Sequence, residues 1–156
     1  MQIGIILYSQ TGHTRKVALL AQEKLNASGH AVTLHTLEPV GQPGFSQDAQ
    51  APLQSIPSVE AYDALIFATP VWGGHPAPPF LTFLNHTPGL QGKRVACLVT
   101  GFFPAQWGCV QAIAKMSEIA QAKGAQILGS ASVSWFSLTR GRQIQQAAEN
   151  LSALFA

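Results

Sequence analysis

Six consecutive residues near the start of the chain, Ser9, Gln10, Thr11, Gly12, His13 and Thr14, put three hydroxyls, one glycine and one imidazole into a single turn. The flanks say what the turn joins. Ile3 to Tyr8 is a short, nearly continuous apolar run, which reads as a strand buried on both faces, and from Thr14 onward Val17, Leu20, Ala21 and Leu25 recur at helical spacing. A strand that passes straight into a helix leaves the first helical N–H groups unpaired, where the hydroxyls of Ser9, Thr11 and Thr14 also collect. The glycine lets the backbone approach closely, and the positive end of the helix favours an anion without a lysine. This is the composition of a phosphate cradle, although a simply capped turn has the same composition. The stretch lacks both G-x-x-x-x-G-K-[ST] and G-x-G-x-x-G, so nucleoside triphosphates and dinucleotides are not the implied ligands.

The elements that must position this turn follow in regular order. The first helix should end near Ser28-Gly29, and Ala31 to Leu37 reads as a second strand. Residues 38 to 57 are rich in Gly, Pro, Gln and Ser and predict a long loop, with at most a helical turn around Ala49 to Gln54. Such a loop either connects or covers a site. Ala64 to Thr69 is a third strand, followed by a turn set by Pro70 and Gly73-Gly74, with Trp72 at its crest. Pro76-Ala77-Pro78-Pro79 then opens a helix carrying Phe80, Leu81, Phe83 and Leu84. Lys93 to Thr100 gives strand four, a helix over about 105–122 follows with a stripe at Val110, Ile113, Ala114 and Ser117, and strand five spans Ile127 to Phe136 with a break at Gly129. The last helix, from about Thr139 to Phe155, shows Ile144, Ala147, Ala148, Leu151, Leu154 and Phe155 at spacings of three and four. Five strands alternating with helices predict an α/β three-layer sandwich with a five-stranded parallel sheet of order 2-1-3-4-5. Ligands of such sheets bind beyond the carboxyl ends of the strands, where the loops after strands one and three meet.

Three stretches carry a family resemblance. Tyr8 to Thr14 resembles the FMN-phosphate loop of the flavodoxin family, roughly [ST]-x-T-G-x-T after the first strand, and matches at every position. Ala68-Thr69-Pro70-Val71-Trp72-Gly73-Gly74 resembles the second flavin loop, and Thr100-Gly101-Phe102-Phe103 stands where the third belongs. The resemblance spans essentially the whole chain and implies FMN held by Ser9, Gln10, Thr11, Gly12, His13 and Thr14, by Thr69, Pro70, Val71, Trp72 and Gly73, and by Thr100, Gly101, Phe102 and Phe103. It casts Trp72 as a wall for the isoalloxazine, the alternative being a tryptophan packed on a neighbouring loop. Gly73 resembles the glycine whose peptide can turn to meet flavin N5. Either phenylalanine could be the second wall, or both could close the core. The function implied is electron transfer through bound FMN to a redox partner protein. The alternative is an NAD(P)H-dependent quinone or flavin reductase with a small-molecule acceptor, and a third reading is a flavodoxin-shaped binding protein without redox duty. Monomer and homodimer both stay open, since quinone reductases of this fold commonly dimerise.

Composition bounds these readings. With 156 residues and 47% apolar content, one domain over 1–156 is expected. There is no basic n-region or long apolar stretch at the N-terminus and no membrane span, so a soluble cytoplasmic protein is expected. Cys97 in a strand and Cys109 in a helical pattern read as reduced core thiols. The formal charge is only +2, and the basic residues are not interleaved with aromatics, so nucleic acid is not an expected partner. Electron-carrying flavodoxins typically have acidic rims, yet no Asp or Glu lies between Thr69 and Gln106. That favours the enzyme, whereas the compact short-chain layout favours the carrier. Histidines 13, 30, 35, 75 and 86 lack ligand spacing, so no metal is expected. His13 and His75 fall in the flavin loops, either as exposed loop residues or as sources of a proton or of charge beside phosphate. Neither cysteine is followed by arginine at phosphatase spacing, and Ser9 is not in G-x-S-x-G, which excludes those nucleophiles.

Overall fold

The structure, a computed structural model, describes residues 1–45, 51–104 and 107–156. Its elements are β1 (Gln2–Leu7), α1 (His13–Ala27), β2 (Ala31–Thr36), β3 (Ala64–Trp72), β4 (His75–Pro76), α2 (Pro78–His86), β5 (Arg94–Gly101), α3 (Cys109–Ala122), β6 (Gln126–Ser134) and α4 (Arg140–Leu154). The five long strands pair in parallel in the order β2-β1-β3-β5-β6, and the two-residue β4 pairs antiparallel with β3. Counting only the long strands, this is the predicted order 2-1-3-4-5. β4 is an addition that composition did not announce.

Strand alternation sorts the core into two halves. Ile3, Ile5 and Leu7 of β1, with Ala64, Ile66 and Ala68 of β3, face α1 and α4, whereas Ile6, Leu65 and Phe67 face α2 and α3. The first half uses alanines on sheet and helix alike, including Ala18, Ala21, Ala147 and Ala148, so these helices lie close to the strands. The second half is filled by rings. Phe67, Phe80 and Phe83 are fully buried with centroids 5.5 to 5.7 Å apart. Burying each such side chain contributes roughly 1.5–3 kcal/mol.

Several boundaries differ from expectation for identifiable reasons. Helix α3 starts at Cys109, where Gly108 adopts a φ of 152° and serves as its N-cap; residues 105 and 106, where the helix was expected to begin, lie outside the described residues. Its buried stripe is Cys109, Ala112, Met116 and Ala120, and Val110, expected inside, is exposed. The break at Gly129 is a bulge, since Val95 pairs with Ile127 but Ala96 pairs with Gly129. Between β2 and β3, an isolated antiparallel bridge joins Pro39 to Leu53, with the Val40 N–H on Pro52 O and the Gln54 N–H on Glu38 O, both at 2.8 Å. The helical turn expected around Ala49 to Gln54 lies partly outside the described residues; Ala51 to Gln54 carry the bridge instead.

Candidate flavin site

The loops at the carboxyl ends of β1, β3, β5 and β6 enclose a cavity of about 490 Å³. In the first loop, Gly12 takes a φ of 88° as N-cap of α1, a left-handed conformation that glycine adopts without steric cost. The N–H groups of Gly12 and Arg15 donate to Ser9 Oγ at 3.1 and 3.3 Å. The Ser9 hydroxyl thereby caps the helix, and its own proton stays available to a ligand. The N–H groups of His13 and Thr14 belong to the first turn and have no acceptor within the helix. Thr14 differs from expectation. Its hydroxyl is buried and bonds Thr100 Oγ1 at 2.7 Å, so it ties the first loop to the third.

The second loop is a hairpin. Trp72 is the last residue of β3 and pairs with His75 of β4, so the crest is Gly73-Gly74 and not Trp72. Both glycines have positive φ, 61° and 82°, as a two-residue hairpin turn of this type requires. Thr69, expected to touch the cofactor, is fully buried and does not line the cavity. Its hydroxyl donates to Pro70 O at 3.0 Å and accepts from the Ala77 N–H at 3.3 Å, which holds the base of the hairpin. Gly12 likewise lies off the cavity wall, because its role is to turn the chain into α1. His75 is buried, with Nδ1–H on Pro76 O at 2.8 Å, and is no exposed loop histidine.

The third loop presses against the second through glycines. A Cβ on Gly108 would meet Val71 Cγ1 at 3.2 Å and Gly74 Cα at 3.3 Å, and one on Gly101 would meet Cys109 Sγ at 3.1 Å. Close approach of the two loops therefore depends on the missing side chains. Phe102 and Phe103 line the cavity and are 46% and 60% exposed, so they do not close the core.

Ser9, Gln10, Thr11, His13 and Thr14, then Pro70, Val71, Trp72 and Gly73, then Thr100, Gly101, Phe102 and Phe103 all line this one cavity. Gly74 of the second loop lines it too, as do Phe45, Pro104, Trp107, Gly108, Cys109 and Trp135, which were not among the expected site residues. Trp135 had a signal, since it follows the last strand at the same sheet edge. Gly108, inside a predicted helix, was the sign that this helix starts later. Phe45 lies in the Gly/Pro-rich stretch 38 to 57, for which a role in covering a site was one of the two expectations.

The aromatic walls are contrasting assemblies. Trp72 takes the edge of Tyr8 at 5.8 Å and lies 4.6 Å from Phe45. On the other side, His13 stacks on Trp135 at 4.0 Å and meets Phe102 edge-on at 5.9 Å. Arg140 covers Trp135, its guanidinium carbon 5.2 Å from the ring centroid. Burial and then the Arg140 charge hold the His13 imidazole below its usual range. Burial pushes the Cys109 thiol up, and that of Cys97 up to about 11, so both stay protonated at neutral pH.

Comparison with known proteins bears on this geometry. The sequence pattern of the NADPH-dependent FMN reductases matches residues 1–137. The chain belongs to the NADPH-dependent FMN reductase family. An NAD(P)H dehydrogenase (quinone) of Paracoccus denitrificans (strain Pd 1222) is 29% identical over 92 residues, covering 55% of this chain and 44% of that protein. The chain thus spans less than half the length of this relative. Among solved structures, oxidised flavodoxin 2 from Bacillus cereus superposes with a TM-score of 0.70 at 23% identity, covering 99% of this chain and 98% of that one. The flavodoxin of Streptococcus pneumoniae TIGR4 gives 0.67 at 18%, covering 98% and 99%. At these identities the likeness is one of fold, which is flavodoxin-like.

FMN is the cofactor of this family member, and the cleft fits it. The α1 N-terminus with Ser9 and Thr11 offers uncommitted donors for a phosphate, and the apolar walls at Trp72 and Phe102 suit a flat ring system.

Proposed function

We propose that the chain is an NAD(P)H-dependent oxidoreductase that uses FMN in this cleft to reduce small planar acceptors, quinones being the type. The observation that carries this reading is the cleft's lining: exposed rings run from Phe102 to Phe103 and Trp107, and among the described residues no carboxylate lines the cavity. A flat acceptor finds ring surface there, and the second and third loops offer a basic partner protein no acid, since none lies between Thr69 and Gln106. Family membership and the quinone-reducing relative support the same direction.

When bound, FMN supplies the hydride and electron chemistry. The chain's residues do the rest. Ser9, Thr11 and the first-turn N–H groups of α1 hold the phosphate. Trp72, Val71 and Phe102 exclude water from the ring slot. The Thr14–Thr100 hydrogen bond fixes the first loop against the third. His13 and Cys109 are the titratable side chains among the described residues lining the cavity. Cys109 keeps its proton and His13 belongs to the phosphate loop, so protons for the acceptor come from solvent through the open mouth.

The test is the visible spectrum of FMN-loaded protein under anaerobic NADPH, with NADH alongside. Rapid bleaching, reversed by a soluble benzoquinone, is expected. If the flavin stays oxidised with both nucleotides while dithionite reduces it, the protein is an electron carrier instead.

A further inference from the structure

The aromatic surface of the cleft, formed by Phe102, Phe103 and Trp107, continues outward to Phe136, which does not line the cavity. Trp107 contacts Phe103 at 5.9 Å, Phe103 contacts Phe136 at 6.4 Å, and Phe136 stacks on Phe102 at 4.9 Å. Trp107 is 68% exposed and Phe136 71%, and Leu138, two residues further on, is wholly exposed. Contiguous exposed apolar surface of this kind marks a binding face.

Charge decides what the face binds. From Ala64 to Ala148 the sequence holds one carboxylate, Glu118, which at 1.5 Å per residue sits about 14 Å along α3 from its start. Beside the shelf stands Arg140, exposed at the start of α4, and Arg142, also exposed, follows in the same first turn. Arg140 is anchored there by a hydrogen bond from Nη1 to Trp135 O at 3.1 Å. A second copy docked by the same face would set these guanidinium groups against one another, and the next acid on α4, Glu149, lies seven residues, about 10 Å, beyond Arg142. Phe, Trp and Leu side chains among arginines, with no acid between, match the interfacial surface of an anionic bilayer.

We propose that this shelf docks the protein peripherally on an anionic lipid surface. Leu138, Phe136 and Trp107 enter the boundary between headgroups and acyl chains, and Arg140 and Arg142 meet the lipid phosphates. Among the described residues no helix is long and apolar enough to cross a membrane, so the attachment is superficial and reversible. Docking brings the mouth of the cleft to the bilayer, and it does not depend on which redox partner the cleft serves.

Flotation of the full-length protein, with and without FMN, on phosphatidylcholine vesicles containing phosphatidylglycerol tests this against phosphatidylcholine alone. Binding to the anionic vesicles is expected, with a blue shift of tryptophan emission. Arg142→Gln should weaken it about fivefold, the equivalent of the ~1 kcal/mol that one basic residue contributes beside such a membrane. Leu138→Ser should weaken it by about as much or more while FMN uptake is unchanged, which separates a docking defect from misfolding. Equal partition onto both vesicles, or onto neither, overturns the proposal. Absence of vesicle binding combined with a concentration-dependent dimer that Leu138→Ser dissociates would assign the shelf to a second copy instead.

Discussion

Trp72 stands at the end of a strand that β4 clasps, with Tyr8, itself buried, against its edge. Phe102 and Phe103 stand on a loop and lean on rings that are themselves exposed, Phe136 and Trp107. One wall of the cleft is fixed through backbone pairing; the other is held by side chains resting on side chains. The first should be set before a flavin arrives, and the second should settle around it. What joins them is glycine, at Gly101 and Gly108, where loop meets loop with no Cβ between.

The largest effect should come from breaking that junction. Gly108→Ala places a methyl 3.2 Å from Val71 and 3.3 Å from Gly74 on a backbone with a φ of 152°. Overpacking and backbone strain of this kind cost about 1–3 kcal/mol each, so FMN affinity should fall about a hundredfold in a fluorescence titration. Unchanged affinity would mean that the two walls are independent. Next comes a paired comparison of the walls themselves. Trp72→Ala should weaken FMN by about tenfold or more, since it removes stacking worth roughly 0.5–1.5 kcal/mol together with buried ring area. Phe102→Ala should cost about threefold, because Phe103 and Phe136 can lean into the gap. The reverse order, read from the same titrations, would show that the loop wall is the rigid one.

The smallest effect concerns pH. In the free protein burial and Arg140 hold His13 below its ordinary value of 6.5. A phosphate anion at the α1 N-terminus favours the imidazolium, so binding takes up a proton. Affinity should therefore rise as pH falls through the window between the raised, bound value and the free value below 6.5. The change should be about twofold to threefold in excess of a His13→Gln variant, which controls for titration of the phosphate itself. Proton resonances of the His13 ring, followed with and without FMN, check the direction.

How much of this could be read from residues alone depended on whether local sequence or tertiary contact decided the outcome. The first loop was legible because a strand, a hydroxyl-rich turn and a helix start leave a local signature, and strand order followed from alternation. Thr14 and Thr69 show the limit. Both hydroxyls sit in the right loops, but one is claimed by Thr100, eighty-six positions away, and the other by the base of a hairpin. The phase of α3 failed for a related reason, since residues 109–122 hold apolar side chains on more than one face and only packing against β5 selects Met116 over Val110. Trp135 reaches the cleft by fold closure, which brings the end of the last strand beside the first loop.

The bridge between Pro39 and Leu53 has a bearing on how such a protein could be altered. It closes the segment at its neck with two hydrogen bonds of 2.8 Å. Lengthening a loop whose ends are already held together costs little, since each doubling adds only about 0.6 kcal/mol. Phe45, which among the described residues of this segment lines the cleft, lies inside the neck. The neck makes Phe45 a position where exchange can retune what the cleft admits while the flavin cradle, held by its own loops, stays unchanged, whereas the buried Ala51 has to be kept.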